Sequence, residues 1–513
     1  MPKILGYNDE PIRSAKELDE LSLYPEIDLL HPDLNGGKLG IELTDQGGGI
    51  GRVVILINDK EISNDVRDAS MVGKNHDAIS LSYEVLEHPF VKEADLNKIS
   101  IKAYNKNGDL VSRTKNLYLL PSGNPIKKQP EFYAVIAGVS DYKGTELDLK
   151  FAAKDATDIA VAIKLSATQY LGGEHTHISV LTTDNPDAMN RPTKKNIFNT
   201  LDDIAKKADA NDILFIYLAG HGVNYGGENG DFYYLTEDAS NGILVDQQVR
   251  ESVAISSNEF SEIIRKIPSV KQVLILDACH SGKLASDLVK KRTMSSSDVR
   301  ALETLKDRTG LYVLAGSAAD ALSYESSQYG QGLLTYSLLF GIKGPALRQN
   351  EYVDILKLFQ FATEKVPELA ADIGGIQKPE IRIPTESSSF DVGKLSEEER
   401  SKINLNTPKP VFVRSEFQDE SQFLDVVELS VLLDEALKNS TKDGAVELVY
   451  VDSRKFDNAF SLKGRYTQAD NQITCKIKLF REKLMIAEFE LRAATAEKLS
   501  QLILKEAIAR IAN

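Results

Sequence analysis

The stretch "KQVLILDACHSGKL", residues 271–284, decides the reading of this chain. Four branched or long aliphatics, Val273 to Leu276, stop at Asp277-Ala-Cys-His-Ser-Gly. A short apolar run bounded by small and polar residues predicts a buried strand of a parallel sheet. Reacting groups in such sheets gather beyond the carboxyl ends of the strands, which puts Cys279 on the functional rim. A free cysteine at a strand end is often an inert core residue, so catalysis requires a partner.

Working outward, similar runs precede and follow it. "FYAVIAG" (132–138), "HISVLTT" (177–183), "DILFIYLAG" (212–220) and "GLYVLAGS" (310–317) read as strands. Helical patterns lie at 152–168, 193–208, 257–267, 332–342 and 352–366, and the layer ends near "EIRIP" (380–384). Alternation of this kind predicts an α/β domain over 130–385, a mostly parallel sheet with helices on both faces. Ahead of it, 38–121 alternates in short strand-like pieces separated by turn residues such as Asn58-Asp59 and Asn107-Gly108, which reads as a small β-sandwich. Residues 1–37 read as an N-terminal extension and "PSGNPIKKQP" (121–130) as a linker. The polar stretch within 386–410 reads as a second linker, and 411–513 as a small α+β domain with Cys475 in its core.

Composition narrows the function. The 513 residues carry 61 basic and 76 acidic side chains, a net charge of −15, which argues against a nucleic-acid partner held through phosphates. Two cysteines supply neither a disulfide framework nor a zinc cluster, and no apolar run approaches a membrane span. With no leader-like start at Met1, the expectation is a cytoplasmic protein with no membrane contact.

A nucleophilic thiol wants an adjacent imidazole, because at its free pKa of about 8.5 it is little ionised. The chain has seven histidines. His31, His76 and His88 fall in or near the β-rich module, His175 and His177 precede a strand, and the side chain of His280, next to Cys279, is expected to point elsewhere. His221 remains, in "NDILFIYLAGHGVNYGG", at the end of a second aliphatic run and 58 residues upstream of Cys279. Two parallel strands, each ending in one half of a thiol–imidazole couple, bring both groups to one rim. The period of two along a strand places Asp277 on the same side as position 279, so a carboxylate lines the cleft.

These motifs, with "FYAVIAGVSDYKG", "LDLKFAAKDATDIAVAI", "YVLAGSAADALSYE" and "GQGLLTYSLL" in order, resemble the caspase and metacaspase superfamily of cysteine peptidases over about 130–385. The spacing is close to the roughly 50 residues between histidine and cysteine in caspase-type enzymes. The resemblance implies a Cys279–His221 dyad acting through a thioester, and an oxyanion hole from the backbone N–H groups of Gly222 and Cys279. "DACHSG" is similar to metacaspases, in which the aspartate at this place binds Arg or Lys, and Asp155 of "AAKDA" matches the second acidic pocket residue. Cleavage after Arg, then Lys, follows as the expectation. Ala219 departs from the serine common at its position. No cofactor is required; calcium is left open, since Asp231, Glu237, Asp238 and Asp287 do not match the calcium cluster of the subgroup in spacing.

Between the nucleophile strand and 310 lies a segment carrying Lys290, Lys291 and Arg292, read as a solvated loop or as a self-cleavage site after Arg292 or Lys291. The first module resembles immunoglobulin-like units found ahead of bacterial caspase-like domains, so the chain reads as a possible fragment of something longer. The implied protein is a regulated zymogen in a bacterial stress, death or defence pathway, with a protein substrate and a regulatory protein or domain as partners. Two rival readings are a catalytically silent scaffold and a non-peptidase thiol hydrolase.

Overall fold

The computed structural model describes residues 23–511 apart from 33–36, 122–127, 226–230, 243, 281–295, 317–324, 327, 374–376, 385–387, 443–447, 456–457 and 470. Arg292, Lys291 and Asp287 lie outside the described residues, and for Cys279 and His280 only the backbone is described.

The central domain is built on β1 (Phe132–Gly138), α1 (Ala152–Leu171), β2 (Thr176–Thr182), α2 (Lys194–Ala205), β3 (Ile213–Tyr225), α3 (Ser257–Lys266), β4 (Lys271–His280), α4 (Ser296–Thr309), β5 (Tyr312–Ala315), α5 (Leu333–Ile342), α6 (Ile355–Asp372) and β6 (Glu380–Arg382). Strands run in the order β2-β1-β3-β4-β5-β6. The first five are mutually parallel, and β6 closes the edge antiparallel to β5. Beyond residue 221, β3 pairs antiparallel with Asp231–Leu235, itself antiparallel to Ala254–Ser256. The sheet is therefore parallel in its middle and mixed at its borders.

Side chains alternate between two cores, as the two-residue period demands. Phe215, Tyr217, Ala219, Val273 and Ile275 pack toward α1, α5 and α6. Leu214, Ile216, Leu218, Leu274, Leu276 and Ala278 pack toward α2, α3 and α4. Both faces of β3 from Ile213 to Leu218 and of β4 from Val273 to Leu276 are dry, which is why these stretches read as unbroken aliphatic runs.

Three boundaries differ from the sequence reading. The stretch 386–410 is no free linker: its strand Asp391–Lys394 pairs with Tyr352–Asp354, and Val392, Leu395 and Ile403 are buried in the core beside α1 and α6. Gly393 lies so close to α1 that a Cβ there would meet Ser166 at 2.5 Å. The residues 352–354, read as helix, are that partner strand; the helix begins at Ile355, with Asp354 accepting from Lys357 N–H at 2.9 Å as its cap. The N-terminal module starts at Glu26, not at 38, since Glu26–Leu30 forms a full antiparallel ladder with Leu39–Thr44.

That module has two antiparallel sheets, one of Glu26–Leu30, Leu39–Thr44 and Ala78–Tyr83, the other of Lys60–Glu61, Val53–Ile57, Asn97–Ala103 and Lys115–Leu119. They share one apolar core, including Ile27, Ile41, Ile55 and Ile99. Asn58 and Asp59, at φ 51° and 68°, make the tight turn that presents Lys60. Lys60 is fully buried; its Nζ donates to the carbonyls of Ile264 (3.4 Å), Ile267 and Ser269 (3.2 Å) and lies 4.6 Å over the Phe90 ring. The β-rich module is thus pinned to the carboxyl end of α3. In the C-terminal unit, helices Leu429–Lys442 and Ala496–Ile511 pack with a sheet around a common core that buries Cys475. The first of these helices starts at Leu429, where Asp425 accepts from the N–H groups of Leu429 (3.0 Å) and Ser430 (2.8 Å).

Candidate active site

The site forms where β3 and β4 end. Their parallel register pairs Tyr217 with Ile275, Ala219 with Asp277 and His221 with Cys279. Adjacent strands lie about 4.8 Å apart, so the backbone of Cys279 is one strand spacing from that of His221. The two residues singled out 58 positions apart in sequence are neighbours across one ladder.

The imidazole of His221 is held on two sides. Its backbone N–H donates to Tyr142 Oη at 2.9 Å, and Nε2 lies 2.8 Å from the carbonyl oxygen of Leu147. A carbonyl can only accept, so Nε2 carries the ring proton and Nδ1 keeps its lone pair. Nδ1 is buried and has no hydrogen-bond partner among the described residues. Burial lowers the pKa of His221, opposed by the Leu147 contact, so the ring is neutral near pH 7. Gly220, at φ 154°, makes this approach possible: a Cβ there would meet Tyr142 Oη at 2.8 Å and Tyr234 Oη at 3.3 Å. A carbonyl from the turn at 145–147 therefore orients the histidine.

Gly222 pairs with Tyr234 on one side and His280 on the other. A Cβ at this position would lie 2.4 Å from Phe232 Cε2, so only glycine fits without movement.

The two acidic residues converge. Asp277 and Asp155 are 8% and 3% exposed, at the end of β4 and in the first turn of α1. Both meet Gly332, which caps α5 without a side chain: a Cβ there would be 2.9 Å from Asp155 Oδ2 and 3.2 Å from Asp277 Oδ2. Gly332 N–H donates to Asp155 Oδ2 at 2.9 Å, while Thr335 Oγ1 donates to Asp277 Oδ2 at 2.6 Å. Tyr217 Oη lies 2.6 Å from Thr335 Oγ1 and 3.3 Å from Asp277 Oδ2. Burial raises the pKa of Asp277, offset by the Thr335 and Tyr217 hydrogen bonds. Burial and then the charge of Asp277 drive Asp155 well above the usual carboxylate range. Oδ1 of Asp155 is buried with no hydrogen-bond partner among the described residues.

Tyr142, Leu147, Tyr217, Gly332 and Thr335 were not found by sequence reasoning. Only "GQGLLTYSLL" offered a signal for the last two, and the others belong to hydrophobic or turn segments with no reactive pattern. The acidic residues considered for calcium are dispersed into other contacts: Asp231 accepts from Ser257 and Asn258, Glu237 pairs with Arg191 at 2.8 Å and Asp238 with Lys143 at 2.6 Å. Among the described residues no group of three or more histidine, cysteine or acidic side chains could hold a metal ion. No helix among them is long and apolar enough to cross a membrane.

Three curated relatives are metacaspases: Metacaspase-1 of Ajellomyces capsulatus (28% identical over 151 residues), Metacaspase-2 of Arabidopsis thaliana (34% over 151) and Metacaspase-1B of Aspergillus fumigatus (28% over 226). The matches cover 29%, 29% and 42% of this chain and 40%, 34% and 50% of the relatives, so the chain spans half of their length or less. A family model described as a caspase domain matches residues 131–390, just over half of the sequence and the whole of the central sheet, and the chain accordingly belongs to the caspase-domain family of cysteine peptidases.

Proposed function

We propose that the protein is a cysteine endopeptidase that cleaves after Arg, and less well after Lys, through a Cys279–His221 dyad. The observation that carries this reading is the register of β3 and β4, which pairs the two residues, together with an imidazole whose Nε2 is tied to Leu147 and whose Nδ1 is open.

In this mechanism the thiol proton of Cys279 passes to Nδ1 of His221, and the sulfur attacks the carbonyl carbon of the scissile peptide. The oxyanion is held by the backbone N–H groups of Gly222 and Cys279. The C–N bond breaks as Nδ1–H protonates the departing amine. Water, deprotonated by the same nitrogen, then hydrolyses the thioester and restores the thiol. A buried neutral imidazole suits both transfers. Two desolvated carboxylates, Asp277 and Asp155, select a guanidinium over an ammonium, because a planar fork can engage both. The pair repels an acidic side chain, so cleavage after Asp is not expected.

Zymogen control through cutting after Lys291 or Arg292, and a role in a bacterial stress, death or defence pathway, complete the proposal. The test is cleavage of a peptide library by the full chain beside Cys279→Ala and His221→Ala. Hydrolysis after Arg and Lys that vanishes in both variants, with loss of any two-fragment product in Cys279→Ala, is the expected result. Absence of Cys279-dependent hydrolysis, or cleavage after Asp, overturns it.

A further inference from the structure

The proposed pocket for a basic side chain has a feature that two carboxylates alone do not explain. Asp277 and Asp155 are equally desolvated, yet their hydrogen bonds are unequal. Asp277 Oδ2 receives the hydroxyl hydrogen bond of Thr335 at 2.6 Å, with Tyr217 Oη 3.3 Å away. Asp155 receives a single backbone N–H, from Gly332, and its Oδ1 receives none from the described residues. Because the one hydroxyl proton of Thr335 goes to Asp277, Tyr217 is the donor in the 2.6 Å contact between the two hydroxyls. A directed chain results, from Tyr217 through Thr335 to Asp277 Oδ2. Tyr217 is fully buried on β3 and Thr335 fully buried in the first turn of α5, so neither donor can turn to water instead.

Resting on the proposed Arg and Lys specificity, we propose that Tyr217 and Thr335 are positioning residues that fix the standing negative charge of the pocket on Asp277, while Asp155 holds a proton that leaves for solvent when a substrate cation enters. The physical reason is like-charge repulsion at close range: two carboxylates beside the same glycine do not both ionise in a dry site, and the one held by the hydroxyl chain takes the charge. Among the described residues, other charged groups near the pair are few. On α1, Lys154 and Asp158 flank Asp155, but Lys154 Nζ is engaged by Asp158 at 2.5 Å, and Gln331 Nε2 donates to Asp158 at 2.7 Å. Tyr217 is the titratable group contributed by β3, and burial holds its phenol well above its usual pKa, so it stays a donor. From the side of β5, a Cβ on Gly316 would meet Asp277 Oδ1 at 3.6 Å and Gln377 Nε2 at 3.4 Å, so that flank brings an uncharged amide. A guanidinium entering the pocket supplies the positive charge that lets Asp155 ionise as well.

The test compares wild type with Tyr217→Phe, Thr335→Val and Thr335→Ser, using peptidyl-arginine and peptidyl-lysine amides from pH 5 to 9. Thr335→Val is expected to raise KM for the arginine substrate by about tenfold at pH 7, the worth of one hydrogen bond to a charged group, with kcat within threefold. Its KM should begin rising on acidification at a higher pH than in wild type, because the Asp277 carboxylate loses its strongest donor. Tyr217→Phe should move both quantities in the same direction by less, and Thr335→Ser, which keeps the hydroxyl, should stay near wild type. Should Thr335→Val fail to fold, Tyr217→Phe read against Thr335→Ser gives the same comparison. A KM and pH profile unmoved in the folded variants, or a loss confined to kcat, overturns the assignment. A wild type that ignores basic peptides would instead overturn the functional proposal beneath it.

Discussion

Substituting Gly222 by alanine tests the site where its geometry is tightest. The added Cβ would lie 2.4 Å from Phe232 Cε2 and 2.6 Å from Cζ. Ordinary carbon contacts begin near 3.5 Å, so strand or ring must give way by about 1 Å. If the strand moves, the Gly222 N–H leaves the oxyanion position proposed for it, and a displacement of that size costs about 10²-fold in rate. Loss of one oxyanion donor costs about the same, 10² to 10³-fold. Gly222→Ala should therefore lower kcat/KM on a peptidyl-arginine amide by about 10²-fold, mainly in kcat. Phe232 is only half-buried, so the fold should survive, with a small change in the thermal midpoint. Adding Phe232→Ala removes the obstacle, and the double variant should recover at least tenfold of the loss. A single variant within threefold of wild type, or a double variant no better than the single, would refute the reasoning.

Further outcomes follow from buried groups elsewhere. Since burial lowers the pKa of His221, the acid limb of kcat/KM should fall below the ordinary imidazole value of about 6.5. The same depression means that its stability contribution is complete above about pH 6.5 and is lost as pH falls through the folded value, which unfolding curves at pH 5 and 7 should register. Lys60→Met leaves the carbonyls of Ile264, Ile267 and Ser269 without their donor and should cost about 3 kcal/mol in chemical denaturation, whereas the exposed Lys74→Met should be neutral. Cys475 is fully buried and its thiol is pushed up to about 12, so alkylation of the folded chain at pH 8 should label Cys279 alone, and denaturation should expose a second site to mass spectrometry.

The order of the central domain was legible because each of its inner strands is buried on both faces and reads as an aliphatic run. Strands that are short and carried by long-range pairing left no such trace: Asp391–Lys394 is four residues in a polar setting, and only its ladder with Tyr352–Asp354 and its packing on α1 make it a strand. The same holds for Glu26–Leu30, five residues whose place in the module rests on the antiparallel ladder with Leu39–Thr44.

For the site, the amino-acid order by itself determined the chemistry-bearing types: a thiol and an imidazole at the ends of two aliphatic runs, with an aspartate two positions before the thiol. Their pairing across one ladder was already implied, since parallel neighbours end at a common rim. Tertiary structure alone decided what surrounds them. The Leu147 carbonyl that sets the imidazole tautomer carries no side-chain signal, and Tyr217 and Thr335 reach Asp277 from a strand and a helix separated by more than a hundred residues. Hydrogen bonds to backbone oxygens and between buried hydroxyls depend on how the layers stack, and layer stacking is not written in any local pattern of residues.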